Sequence, residues 1–241
     1  MTDERKILYD NYASGFKDIV WEENEDDLRS TWKHYRIKLL PHILKYGTDA
    51  NILELGCGPG YTLEFLRQQG FNRIKGIDVS KQQIEKALVK NLNVELRDVF
   101  EFLKSEDQKY DIIIAFDFIE HFKKEEIHSL FMAITNRLNS KGLLIIRTPN
   151  GQGLFSNQII YGDLTHYTIF NPSSILQILK LHGFDDIYFI ENAPIAKNIS
   201  GLVRLLLWKL FKFIYNVFRI IEQGKVEKII THDFYSLAIK K

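Results

Sequence analysis

A short apolar run at residues 51–55 ends on Gly56, Gly58 and Gly60, and a helical pattern begins at once with Tyr61. A buried strand that must turn directly into a helix leaves few architectures open. Glycine supplies the positive-φ turn and lets a ligand approach bare backbone. The strand-then-helix rhythm then repeats. Apolar runs at 74–79, 94–99, 110–116 and 142–148 read as strands, and 110–116 is almost wholly apolar, as a central parallel strand should be. Helical spacing covers 61–69, 80–90 with Ser80 as its N-cap, 124–138 and 172–182. Strand patterns follow at 183–191 and 233–240. Five β-α alternations predict an α/β protein, a doubly wound Rossmann-like sheet with helices on both faces. In such a sheet a ligand sits outside the carboxyl ends of the strands, near the point where strand order reverses.

A chain of 241 residues can bury one large core, so a single domain is expected over 1–241. Its parts are an amphipathic helix at 28–45, the alternating core at 51–191, a helical excursion at 194–231 and the last strand at 233–240. The net charge of +1 provides no global field for nucleic acid. The first ten residues are charged and lack an apolar run, so no signal peptide is expected. Cys57 is the only cysteine, which excludes an internal disulfide and fits a reducing, cytoplasmic setting. The acidic residues between 22 and 27 read as a solvated loop or helix start. His34, His42, His128, His182 and His232 show no metal spacing with Cys57, so no structural zinc is expected; a weak magnesium contribution stays open.

The glycine loop becomes specific in company. A dinucleotide fingerprint would put a third glycine where Tyr61 stands, so the spacing argues against a pyrophosphate site. Asp78 ends the second strand, where a carboxylate can accept both hydroxyls of a ribose. Asp98 ends the third, within reach of an adenine amino group. Glu54 precedes the loop and can attract the cationic end of a ligand. With Ile77-Asp78-Val79-Ser80, Arg97-Asp98-Val99 and Asp117-Phe118-Ile119-Glu120-His121 in order after the loop, the chain resembles the class I S-adenosylmethionine-dependent methyltransferases over about residues 9–191. The resemblance implies a seven-stranded, mostly parallel sheet with an antiparallel last strand. It implies S-adenosylmethionine as cofactor and S-adenosylhomocysteine as product. Cofactor contacts would come from Glu54, Gly56, Cys57, Gly58, Gly60, Tyr61, Asp78, Val79, Asp98, Val99 and Phe116, with Tyr12 (beside Tyr9) in an aromatic segment that closes over the cofactor.

On the acceptor side stand His121, in a Glu-His pair found in many relatives, and His166. Asp163-Leu164-Thr165-His166 resembles the Asp-Pro-Thr-His segment of small-molecule and sugar O-methyltransferases, with leucine in the proline position. A neutral imidazole suits removal of a hydroxyl proton; each histidine could equally be structural. Asp163 could orient His166 or bind substrate. Arg147, Asn150 and Tyr167 are substrate candidates; Arg147 could pair with an anionic group or form a structural salt bridge. The expected reaction is O-methylation of a sugar or glycan-precursor hydroxyl. Two alternatives stand beside it: an O-methyltransferase for a small aromatic or quinone-like lipid, resembling the ubiquinone-biosynthesis group, and a non-catalytic cofactor-binding or assembly protein. A protein N-methyltransferase is disfavoured, because no Asn/Asp-Pro-Pro-Tyr motif follows the fourth strand.

Residues 199–222 are dense in leucine, isoleucine and aromatics, but Arg204, Lys209, Lys212 and Arg219 interrupt them too often for a transmembrane span. On a helical wheel at about 100° per residue the polar residues share one arc. Three readings are open: packing on this domain or on a second copy as a homodimer, a peripheral membrane contact at the inner face, or the wall of an apolar substrate pocket.

Overall fold

The computed structural model describes Tyr9, residues 25–196 and residues 198–241. Its seven strands are β1 (Ile52–Leu55), β2 (Ile74–Asp78), β3 (Val94–Leu96), β4 (Tyr110–Phe116), β5 (Leu138–Pro149), β6 (Phe184–Glu191) and β7 (Asp233–Lys240). They form one sheet in the order β3-β2-β1-β4-β5-β7-β6. The pairs β1–β2, β2–β3, β1–β4 and β4–β5 are parallel, and β7 runs antiparallel to both β5 and β6. This is the expected doubly wound sheet with its reversed last strand. The described helices are α1 (Glu25–Lys38), α2 (Leu40–Ile43), α3 (Tyr61–Gln68), α4 (Lys81–Val89), α5 (Val99–Ser105), α6 (Lys124–Arg137), α7 (Asn157–Gly162), α8 (Pro172–Leu181) and α9 (Ile199–Gln223).

Strand alternation sorts the apolar side chains onto two faces. Leu53, Leu55, Ile113, Ala115, Leu144 and Ile146 pack on one side with Phe102 of α5, Phe131 of α6 and Leu179 of α8. Ile52, Ile112, Ile114, Leu143 and Ile145 face the other, against Tyr35 of α1, Phe65 of α3 and Ile84 of α4. The strand order reverses between β1 and β4. The segments that follow those two strands carry Gly56–Gly60 and Asp117–His121, so both sequence motifs open on one crevice.

Several details differ from the sequence expectation; β5, for one, begins at Leu138 rather than Gly142. The helix expected at 28–45 is α1 followed by the short α2, because Pro41 lies in the first turn of a new helix. The strand expected to reach Val99 stops at Leu96, and Val99 opens α5 with Asp98 as its N-cap. Ser80 occupies the N-cap position of α4 without a side-chain cap; its backbone N–H donates to Asp78 Oδ1 instead, at 2.7 Å.

Candidate active site

All three loop glycines have positive φ: +68° at Gly56, +51° at Gly58 and +78° at Gly60. Close approach adds to the requirement at two of them. A Cβ on Gly56 would lie 2.5 Å from the Phe118 ring and one on Gly60 2.3 Å from Leu92, whereas a Cβ on Gly58 would meet open space. The Asp78 carboxylate ties the loop down. Its Oδ2 accepts from the Gly58 N–H at 2.8 Å and its Oδ1 from the Ser80 N–H at 2.7 Å. Cys57 is buried and burial pushes its thiol up, which makes it a packing residue with no nucleophilic character.

Glu54 is the electrostatic anomaly of this half-site. It is buried on β1, and Oε2 has no hydrogen-bond partner among the described residues. Burial pushes its carboxyl up to about 8; a hydrogen bond with Thr62 and the nearby Arg147 charge pull only partly the other way. A buried carboxyl held neutral beside a ligand loop is poised to ionise when a cation arrives.

The acceptor side assembles from two loops. Ile119–His121 forms one 3-10 turn after β4, and the segment 163–168 packs onto it: the N–H groups of Tyr167 and Thr168 donate to Glu120 O at 2.9 and 3.1 Å. The rings of His121 and His166 lie 5.0 Å apart. The network assigns their tautomers. Thr165 Oγ1 donates to Asp163 Oδ1 at 2.6 Å, so at 2.8 Å it can only accept from His121 Nδ1. The same nitrogen lies 3.1 Å from Thr165 O, also an acceptor. His121 Nδ1 therefore carries a proton. His166 Nδ1 likewise donates to Ile160 O at 3.3 Å, while its Nε2 lies 3.8 Å from Asp163 Oδ2.

Beneath them Glu120 is buried, with Oε2 accepting from Thr148 Oγ1 at 3.2 Å and Oε1 unpartnered among the described residues. Burial, and then the neighbouring Asp117 charge, raise its carboxyl well above the usual range. Glu120, His121 and His166 offer one ligand atom each within 4.8 Å of one another, a set that could hold a divalent cation. It differs from the cysteine-containing zinc pattern sought in the sequence.

Residues 25–188 match the family model described as "Methyltransferase domain". The chain belongs to this methyltransferase family. The chain is 32% identical over 149 residues to the ubiquinone biosynthesis O-methyltransferase of Rickettsia bellii (strain OSU 85-389), covering 55% of this chain and 60% of that protein. The corresponding protein of Rickettsia typhi is 32% identical over 200 residues, covering 73% and 76%. Among solved structures, a SAM-dependent methyltransferase from Archaeoglobus fulgidus superposes with a TM-score of 0.65 at 24% identity, over 90% of this chain and 97% of the other. The SAH-bound magnesium protoporphyrin IX methyltransferase of Synechocystis gives 0.62 at 16% identity, over 99% and 100%.

Within this methyltransferase domain several residues named from sequence take other duties. Asp98 Oδ1 accepts from the Phe100 and Glu101 N–H groups at 2.9 and 3.3 Å, so the side chain caps α5 and only its remaining acceptor capacity is available to a ligand. Val99 is buried as the first residue of that helix, while Val79 stays half-buried after β2. Phe116 is buried against Tyr35 and Tyr235, with the Arg147 guanidinium over its ring, so it belongs to the core. Arg147 grips Asp117 in a two-pronged ion pair, Nε to Oδ1 at 3.0 Å and Nη2 to Oδ2, which favours its structural reading over anion binding. Asn150, the second substrate candidate, is engaged by the fold itself. It is fully buried, its Nδ2 donates to Thr231 O at 2.8 Å, and its Oδ1 accepts from the Gln152 N–H at 3.2 Å. Tyr167 is exposed, with the Lys123 ammonium 5.9 Å from its ring. Tyr61 opens α3 and carries the Lys90 ammonium 3.8 Å above its ring. Tyr9 lies edge-on to the His121 ring, 6.1 Å away, and Tyr12 lies outside the described residues. Two further residues join the cluster without a sequence signal of their own: the buried Glu120, and Thr165, which bridges Asp163 and His121.

Proposed function

We propose that this chain is an S-adenosylmethionine-dependent O-methyltransferase whose acceptor is a hydroxyl of a small aromatic, quinone-like lipid. The observation that carries the first part is the buried Glu54, whose Oε2 has no partner among the described residues, beside the Asp78-braced glycine loop: a carboxyl that burial holds neutral and that a cationic ligand would ionise. Glu54 would face the cationic end of the cofactor, Asp78 its ribose, and the bare backbone of Gly56–Gly60 would admit its close approach. The cofactor supplies a methyl group on a sulfonium, already a good leaving group. The protein's work is then alignment and removal of one proton. His121, whose ring is oriented through Nδ1 by the Thr165–Asp163 chain, suits that proton, and His166 stands beside it.

For the acceptor, the sugar hydroxyl expected from the Asp163–His166 segment gives way to its alternative. The named relatives are ubiquinone biosynthesis enzymes. The acceptor-side segment also exposes Phe155, Tyr161, Leu164 and Ile169, an apolar rim suited to an aromatic lipid. The test is transfer of a radiolabelled methyl group to catechol-type phenols with a prenyl tail, against nucleotide sugars and lipid-linked sugars. Labelling of the phenol that disappears in both Asp78→Ala and His121→Ala is expected. Labelling of sugars alone overturns the acceptor, and cofactor binding without any transfer supports the non-catalytic alternative.

A further inference from the structure

Helix α9 is packed inside out. Its half-buried stripe holds Leu205, Trp208, Lys212, Tyr215, Asn216 and Arg219, so the polar side chains face the domain. Lys212 Nζ pairs with Glu191 Oε2 at 2.6 Å, and Asn216 exchanges two hydrogen bonds with the Glu227 backbone, at 2.6 and 3.1 Å. No residue of the helix is buried. On the wheel the opposite arc, about 180° wide, is apolar without interruption. Along its centre Val203, Leu206, Leu210, Ile214, Val217 and Ile221 are 41% to 77% exposed. A surface helix ordinarily turns such a stripe to its own core.

We propose that α9 is an in-plane docking helix whose apolar face enters an anionic lipid bilayer. Three observations select this occupant. The first is charge: Arg204 and Lys209 flank the apolar arc, one on each rim, and the only acid on the helix, Glu222, pairs with Arg219 at 3.3 Å. Basic side chains at that height reach anionic headgroups while the apolar face lies about 5–10 Å into the acyl boundary. The second is shape. A facing helix covers a stripe of about 100°, whereas a medium covers the whole arc. A second copy across a two-fold axis would also bring like-charged rims together. The third is continuity: Phe155, 71% exposed, stacks on Phe211 at 6.1 Å, which extends the apolar surface onto the segment that leads to His166. Among the described residues no helix is long and apolar enough to cross a membrane, and α9, about 37 Å long, fits in the plane instead. The proposal does not depend on which acceptor is methylated.

The test is flotation of the full chain with phosphatidylcholine vesicles containing 30 mol% phosphatidylglycerol (about a third anionic, as in an anionic leaflet), and with phosphatidylcholine alone. Binding to the anionic vesicles that weakens with salt is expected. Arg204→Gln with Lys209→Gln should weaken it about thirtyfold, at roughly a factor of five per charge. Leu210→Glu with Ile214→Glu should abolish it. Both sites are exposed, and an unchanged circular dichroism melt checks that each variant folds. Absence of binding to either vesicle overturns the proposal. So does a dimer in sedimentation that Leu210→Glu with Ile214→Glu dissociates while vesicle binding is unaffected.

Discussion

Replacing Glu54 by glutamine tests whether the buried carboxyl on β1 is held neutral. In the unfolded chain this group titrates near 4.5 and in the folded protein near 8, because burial strips its carboxylate of water. The folded pKa is raised, so the folded state holds the proton over a range where the unfolded state has lost it. Stability therefore falls as pH rises from about 4.5 to about 8 and is level beyond. One proton costs about 1.4 kcal/mol per pH unit, so between pH 5 and 7.5, with partial ionisation at both ends, this group alone removes about 3 kcal/mol.

Glu54→Gln keeps the shape and cannot ionise. Any change in hydrogen bonding that it introduces is a constant offset, whereas the ionisation cost appears as a slope. The difference in stability between variant and wild type should then grow by about 3 kcal/mol from pH 5 to 7.5, which for a domain of this size is roughly 6–12 °C in Tm. The assay is thermal unfolding of the cofactor-free protein in a pH series, followed by circular dichroism. The variant should also bind S-adenosylmethionine more weakly, since the cation loses its carboxylate. A Tm difference that stays flat across pH 5–8 would refute the reasoning, whatever its sign.

The glycine loop predicts an order of damage: Gly58→Ala should cost about the 1–2 kcal/mol of a left-handed residue, and Gly56→Ala more, because its Cβ also meets the Phe118 ring, which is packed on Phe122; chemical denaturation of the two variants ranks them. Asn150→Ala should lower stability by about 2–3 kcal/mol by orphaning buried backbone groups, with an unchanged KM for acceptor in whatever protein folds at low temperature; a selective rise in KM would restore it to the substrate set. Thr165→Val removes the hydroxyl that links Asp163 to His121, so the pH profile of kcat should shift while cofactor affinity stays, and Thr165→Ser should restore it; an unmoved profile would leave Thr165 a packing residue.

The strands were legible because their signal is local. An apolar run such as 110–116 has no other place to go than the middle of a sheet, and its limits as a strand are those read from sequence. The groups at the carboxyl ends of β1 and β2 were legible for the same reason, since topology alone delivers Glu54 and Asp78 to the crevice. Asp98 shows where that logic stops. A short helix, α5, begins directly after it, and seven residues are too few for periodicity to reveal. The carboxylate that strand-end reasoning assigned to a ligand is therefore already bonded to its own helix.

Longer-range contacts account for the rest. The wheel divided α9 correctly into a polar and an apolar arc, but amphipathicity carries no sign. Which arc turns inward is decided by Glu191 on β6 and by the backbone at Glu227, both remote from the helix register. The acceptor side has the same character. Sequence spacing placed Asp163 with His166, three residues on. The fold instead routes Asp163 through the Thr165 hydroxyl to His121, a residue from the other loop, at 2.6 and 2.8 Å. The Thr165 hydroxyl lies within hydrogen-bond range of Asp163, and His166 Nε2, at 3.8 Å, does not. His121 is thereby tied through Thr165 to Asp163, whereas His166 is held by the Ile160 carbonyl, so the two candidate bases are oriented by different partners.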